Sequence, residues 1–266
     1  MQLKAIVFDW AGTTIDYGSL APMGAFVDVF RQFKVDLSIE EARRPMGLPK
    51  WDHIKALIGH PEIAARWRAA HGREPTDADV DRVYEVFVPL NRRIVTDYAD
   101  LIPGTAEIVA AARERGLKIG STTGYTREIM EPLLPLARAQ GYTPDNLVCA
   151  GDLSAGRPTP LMMYKCFANL GVWPAQAVVK VDDTVPGIAE GLAAGCWTVG
   201  VAMSGNALGL SLEQVNALSE AERAKRCAAA MRELVLGGAH YVVDTIADLL
   251  PVLDVIAGRL ARGEKP

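Results

Sequence analysis

The sequence predicts an α/β protein: a doubly wound parallel sheet with a block of helices inserted after its first strand. Three observations predict this. Short apolar runs alternate with amphipathic helical patterns from about residue 100 onward, the signature of parallel βαβ units. One further apolar run stands at the N-terminus. Between it and the rest, residues 19–99 carry helical patterns and no strand-like run.

The first strand is expected over Lys4–Asp9 (KAIVFD), an apolar run that ends in a carboxylate and opens into Ala11-Gly12-Thr13. The helical insert follows, with patterns at Ala25–Phe33, Glu40–Arg44, Trp51–Ile58, Ile63–Ala70 and Asp77–Leu90. Gly18 and the Ile102-Pro103-Gly104 turn are its expected hinges. Helices are then expected at Ala106–Arg115, Thr126–Gln140, Leu161–Leu170 and Gly187–Ala194. The strands expected around and after them are Leu117–Thr123, Asn146–Ala150, Ala177–Val181, Trp197–Val201 and Tyr241–Val243. The domain reading is therefore a core of residues 1–18 and 100–266 and a helical cap of residues 19–99. The polar tail Gly258–Pro266 is expected to fray.

Composition narrows the class of function. Twenty-eight Lys and Arg against 32 Asp and Glu leave a net charge of −4, which argues against a nucleic-acid partner. An anionic substrate would then need a local cationic site or a metal. The four cysteines, Cys149, Cys166, Cys196 and Cys227, form no C-x-x-C pair or zinc spacing and read as reduced thiols in a cytoplasmic protein. No run approaches a membrane span, and no signal-peptide pattern opens the chain.

In such sheets ligands bind at the carboxyl ends of the strands. Four segments gather chemistry there. Asp9-Trp10-Ala11-Gly12-Thr13 places a carboxylate before a loop of backbone amides, which suits attack on phosphorus, or simply a helix cap. Ser121-Thr122-Thr123-Gly124 places hydroxyls at a strand end ahead of a helix N-terminus, an oxyanion site or an ordinary cap. Gly156-Arg157-Pro158 holds an arginine between turn residues, able to neutralise a phosphoryl group or merely solvated. Asp182-Asp183 pairs two acids at a strand end, as Mg²⁺ prefers, or as an exposed turn would.

Taken in order, the four segments resemble those of the haloacid dehalogenase-like hydrolases, over the whole core. The departures sharpen the likeness. Alanine stands at position 11, where that family usually carries a second Asp as general acid, and the basic residue of the third segment is Arg157. Together with Pro45-Met46-Gly47-Leu48-Pro49-Lys50-Trp51-Asp52-His53, the pattern is similar to the phosphonatase family, the phosphonoacetaldehyde hydrolases. That resemblance implies a Rossmann-like core with a helical cap. It implies Asp9 as nucleophile and Lys50 as Schiff-base amine; His53, three residues on and so able to share a helical face with Lys50, would shuttle protons or simply pack or cap the helix. Gly12, Thr123, Gly124 and Arg157 would bind the substrate phosphoryl group. Mg²⁺ would be held by Asp9, the Ala11 carbonyl and Asp183, with Asp182 in or near that shell. Some family members carry a further acid where this chain has Gly187. Tyr125 would line the pocket or the cap interface. The implied partner is the small molecule phosphonoacetaldehyde, formed from 2-aminoethylphosphonate by a transaminase, and the implied assembly is a homodimer.

The chemistry explains the lysine and the alanine together. Breaking a P–C bond expels a carbanion unless an electron sink is present, and a protonated imine on the aldehyde supplies one. That needs a neutral amine, and enclosure beside Met46, Leu48 and Trp51 would favour the neutral form of Lys50. An enamine leaving group needs no proton from position 11. A phosphomonoesterase or sugar-phosphate mutase would keep an acid there, and a non-catalytic relative would have lost Asp9, Thr123, Arg157 or Asp183.

Overall fold

The computed structural model describes residues 1–266. Six strands form one parallel sheet: β1 (Ala5–Phe8), β2 (Lys118–Thr126), β3 (Asn146–Ala150), β4 (Val178–Asp182), β5 (Trp197–Val201) and β6 (Tyr241–Val243). Their order is β3-β2-β1-β4-β5-β6. The chain winds outward from β1 in one direction and then returns to start the other half at β4. The switch point therefore lies between β1 and β4, where Ala5 pairs with Val178 and Phe8 with Val181. Asp9 emerges at that crevice, its amide donating to the Val181 carbonyl at 3.0 Å. β1 is completely buried, which is why its residues read as a continuous apolar run rather than an alternating one.

The insert after β1 carries five α-helices: α1 (Ala21–Gln32), α2 (Ile39–Arg43), α3 (Lys50–Gly59), α4 (Pro61–His71) and α5 (Asp77–Ile94). The short α2 is fixed by a capping box, with Ser38 and Glu41 each satisfying the other's backbone amide. Thr76 and Asp79 do the same for α5. Phe26 of α1 is the pivot of this block. It is fully buried and stacks on His53 of α3 at 4.1 Å and on Phe87 of α5 at 4.3 Å. Burial of such a side chain stabilises by roughly 1.5–3 kcal/mol.

The remaining helices flank the sheet: α6 (Thr105–Glu114), α7 (Arg127–Ala139), α8 (Leu161–Leu170), α9 (Val185–Ala194), α10 (Leu212–Ala217), α11 (Glu220–Leu236) and α12 (Leu249–Ala261). Two expectations need correction. The chain does not fray from Gly258: α12 continues to Ala261, Leu260 is fully buried, and Arg259 bonds Glu264 and the Tyr241 hydroxyl. β2 does not stop at Thr123. It runs on to Thr126 through a register shift against β3, so α7 begins four residues beyond Thr123 and its N-terminus is capped by Thr126. No helix is long and apolar enough to cross a membrane, and the four cysteines are buried and free.

Candidate active site

The carboxyl ends of β1, β2 and β4 converge on a small cavity closed from above by the first turn of α3 and the loop before it. Asp9, Ala11, Thr123, Gly124, Tyr125, Arg157 and Thr184 line its floor and sides; Ser19, Pro22, Met46, Gly47, Leu48 and Lys50 complete it. Its volume is about 20 Å³, room for about one water.

Asp9 is buried, and its Oδ1 accepts from Arg157 Nη2 at 2.7 Å. Burial pushes its carboxyl up; Arg157 and Lys180 oppose that, and Asp182 adds to it. Arg157 is held on several sides. Its Nε donates to Glu190 Oε2 at 3.2 Å, and Nη2 also donates to the Thr122 carbonyl at 2.7 Å. Nη1 makes no bond to the protein, which leaves that nitrogen to the cavity. Below lies Lys180, a fully buried cation in the middle of β4, which donates to Thr122 Oγ1 at 2.8 Å and pairs with Asp182 at 3.0 Å and Glu190 at 3.3 Å.

The two acids after β4 face different ways. Asp182 turns toward the cations: its Oδ1 accepts from the Thr184 amide and hydroxyl, and its Oδ2 lies 3.2 Å from Arg157. Burial works against its charge, but Arg157 and Lys180 hold its carboxyl below the ordinary range. Its carboxylate fills the space beside Gly187, where an added Cβ would sit 2.0 Å from the Asp182 Cγ. The acid absent from position 187 thus has its space taken by the neighbouring one. Asp183 faces the nucleophile loop. Thr13 Oγ1 donates to its Oδ1 at 3.0 Å and the Asn206 amide to its Oδ2 at 2.8 Å. Burial pushes its carboxyl well up, and the nearby Asp182 and Asp9 add to the shift.

This charge pattern fits a divalent cation. Oxygens of Asp9, Asp182 and Asp183 lie within 4.8 Å of one another. Four buried carboxylates there, counting Glu190, face three buried basic side chains, Arg157, Lys180 and Lys50. Hard oxygen donors crowded with surplus negative charge suit a Mg²⁺-like ion.

Lys50 enters from α3. It is buried, its Nζ lies 3.8 Å from Met46 Sδ and over the rings of Tyr125 and Phe26 at 5.1 and 5.6 Å. No carboxylate pairs with it. Burial lowers its pKa to about 8; Asp9 acts in the opposite sense and Arg157 in the same sense. His53 is one turn along α3, behind Lys50 and away from the cavity wall. Its Nε2 meets the Ala42 carbonyl at 2.8 Å and its buried Nδ1 has no partner. Burial, with Lys50 adding to it, holds its pKa well below 6.5, so the ring is neutral.

The cavity thus brings together Asp9, Ala11, Lys50, Thr123, Gly124, Tyr125 and Arg157. Gly12, His53, Asp182 and Asp183 stand behind it. Gly12, at φ +85°, backs onto Asp183: a Cβ there would fall 2.2 Å from Asp183 Oδ2, so only glycine lets the loop approach the acid. Thr123 Oγ1 accepts from the Tyr125 amide at 3.1 Å, which leaves its hydroxyl proton free. Sequence reasoning missed Lys180, Glu190 and Thr184. The signal for the first was present: a lysine inside the apolar run of a central strand (AVVKV) needs a buried partner.

Comparison with known proteins is consistent across sequence and structure. Residues 3–195 match the model of the haloacid dehalogenase-like hydrolases. The chain is 53% identical to a phosphonoacetaldehyde hydrolase of Paraburkholderia xenovorans, covering 100% of this chain and 99% of that one. It is 50% identical to a phosphonoacetaldehyde hydrolase of Klebsiella pneumoniae at the same coverage. The crystal structure of a phosphonoacetaldehyde hydrolase-like protein from Oleispira antarctica superposes with a TM-score of 0.99 at 45% identity, covering 100% of this chain and 96% of that one.

Proposed function

The chain belongs to the phosphonoacetaldehyde hydrolases, within the haloacid dehalogenase-like hydrolase family, and on that premise we propose that it cleaves phosphonoacetaldehyde to acetaldehyde and phosphate through a Lys50 imine and an Asp9 aspartyl phosphate. One observation carries the reading: a buried lysine without a carboxylate partner, its pKa lowered to about 8, shares a small cavity with a buried strand-end aspartate and an arginine.

Lys50 attacks the aldehyde carbon, and loss of water gives the protonated imine. Asp9 attacks phosphorus in line as the P–C bond breaks, and the bonding pair moves into the imine to give an enamine. Protonation at carbon and hydrolysis release acetaldehyde and free Lys50. Water then cleaves the aspartyl phosphate and returns Asp9. The free Nη1 of Arg157 and the free proton of Thr123 are the donors for the phosphoryl oxygens. Gly124 leaves room for the Leu48 carbonyl of the cap loop above the phosphoryl pocket, and Gly12 leaves room for Asp183. His53, neutral and with Nδ1 unpaired, can take and return the protons of imine formation beside Lys50. Ala11 presents only a methyl group to the cavity, in keeping with an enamine that needs no acid there.

Asp9, the Ala11 carbonyl and Asp183 are the residues that would hold Mg²⁺, and the bound ion would supply charge neutralisation between the nucleophile and the phosphoryl group. Asp182 is committed to Lys180, Arg157 and Thr184 and serves beside that set. Residues 19–99 act as the cap that carries Lys50 to the core. The reading extends to a cytoplasmic homodimer that acts downstream of 2-aminoethylphosphonate transamination.

The test is phosphate release from phosphonoacetaldehyde and from p-nitrophenyl phosphate, with and without Mg²⁺. The reading expects Mg²⁺-dependent release from the phosphonate far above that from the ester. Efficient ester hydrolysis without P–C cleavage would return the protein to an ordinary phosphatase.

A further inference from the structure

The cap sits directly over the cavity that holds Asp9 and Lys50. One side chain of the cap makes a contact out of proportion to its place. Arg43, at the end of α2, sends Nη1 to the Gly18 carbonyl at 2.9 Å and to Asn206 Oδ1 at 3.1 Å, and Nη2 to the Gly209 carbonyl at 3.1 Å. These acceptors belong to the hinge and to the loop after β5. The same loop touches the site: the Asn206 amide donates to Asp183 Oδ2 at 2.8 Å, and buried Ser204 donates to the Gly12 carbonyl at 2.9 Å.

We propose that Arg43 is a positioning residue that ties the seated cap to the Asp183 carboxylate through Asn206. With the cap down, Arg43 pins the Asn206 side chain and the loop on either side of it, and the Asn206 amide fixes the rotation of Asp183. With the cap raised, the guanidinium withdraws and that brace loosens. The acidic cluster is then fully set only when Lys50 is in place above Asp9, so phosphoryl transfer is favoured where the electron sink is present. This inference rests on the reading of Asp183 as a cation ligand.

Mg²⁺ affinity of the substrate-free protein, measured by titration calorimetry, reads the brace without turnover. Arg43→Lys keeps the charge and loses the planar fork that reaches Gly18, Asn206 and Gly209 together. Asn206→Ala removes the anchor and keeps the backbone amide. Each should weaken Mg²⁺ binding about tenfold, the scale of one hydrogen bond to a charged group, and the double variant should be no weaker than either alone. A purely Coulombic role for Arg43 expects no change with lysine, and a merely structural role expects a lower melting temperature with Mg²⁺ affinity intact; either result overturns the proposal. So does full additivity. If Arg43→Lys does not fold, Asn206→Ala alone decides, because it sits in a surface loop. A wild type that cleaves the phosphonate but shows unaltered affinity in both variants refutes the brace alone. A wild type that binds no Mg²⁺ removes the cation reading, and the brace with it.

Discussion

Gly156→Ala should uncouple the cap from the core by one methyl group. Gly156 precedes Arg157, and its missing Cβ faces Pro49, the residue before Lys50. An alanine Cβ would sit 2.5 Å from Pro49 Cγ and 3.6 Å from its Cδ. Carbon atoms pack at about 3.5–4.0 Å, so one surface must retreat by about 1 Å. The backbone at Gly156 has no positive φ, so alanine costs nothing there by itself. Pro49 cannot yield by rotation, since its ring fixes φ, and its carbonyl holds the His53 amide at 2.8 Å in the first turn of α3. The movement therefore passes to α3 and carries Lys50 away from Asp9. A displacement of about 1 Å at a reacting group costs on the order of 10²-fold in rate. The assay is steady-state acetaldehyde formation, with thermal unfolding run in parallel. The expected result is kcat/KM down about 10²-fold with the fold retained, because a lifted cap relieves the clash that a packed core could not. Pro49→Ala in the same chain removes the obstructing ring carbon and should recover part of the loss. Wild-type turnover from Gly156→Ala would refute the inference that this contact sets the height of Lys50.

Other changes report on the chemistry. Asp9→Asn is nearly isosteric but replaces the nucleophile with an amide; phosphate release should fall by several orders of magnitude while circular dichroism stays unchanged. Lys50→Arg keeps a charge that cannot be lost at neutral pH, so P–C cleavage should collapse likewise, and borohydride with aldehyde should leave a reduced adduct on Lys50 of the wild type that peptide mass analysis finds missing from the variant. With the Lys50 pKa near 8, the neutral fraction, and kcat/KM with it, should rise about fivefold from pH 7 to pH 8 and only about twofold more above that; a profile flat across that window would remove the amine from the rate law. Phe26→Ala should cost about 3–5 kcal/mol in chemical denaturation and lower imine trapping as well, because the ring stacks on His53 and faces Lys50; loss of neither would show the cap to be held elsewhere.

The parts of this molecule legible from sequence are those written in local pattern. β3, β5 and β6 lie where their apolar runs placed them, Asp9 and Asp183 follow strands that the pattern marks, and Thr123 lies within one. The C-terminal helices escaped for a physical reason. α11 buries only Cys227, Ala230 and Leu234 over seventeen residues, too thin a stripe to stand out from its charges. α12 is nearly all apolar, so its period is masked and Gly258 resembles an ending. In the site, what could not be read was long-range pairing. Arg43 and Asn206 are 163 residues apart, and Thr122 and Glu190 are 68 apart. Neither member of either pair carries a local sign of the other.

The geometry also explains how one enclosure serves two opposite needs. Burial drives every ionisable group toward its neutral form. A nucleophilic amine benefits and a nucleophilic carboxylate suffers. The fold resolves this by distributing its cations unevenly. Arg157 and Lys180 stand beside and beneath Asp9, where they offset its desolvation, and Glu190 and Asp182 keep those two cations in place. Lys50 has no carboxylate partner and faces a thioether and two aromatic rings, so burial outweighs the pull of Asp9, Asp16 and Asp183 and its pKa falls to about 8. The division follows the two parts of the chain: the sheet supplies paired charges on rigid strand ends, and the helical insert supplies an apolar setting for one amine. Each half of the reaction then depends on a different element, and only the seated cap puts the amine and the carboxylate into the same small space.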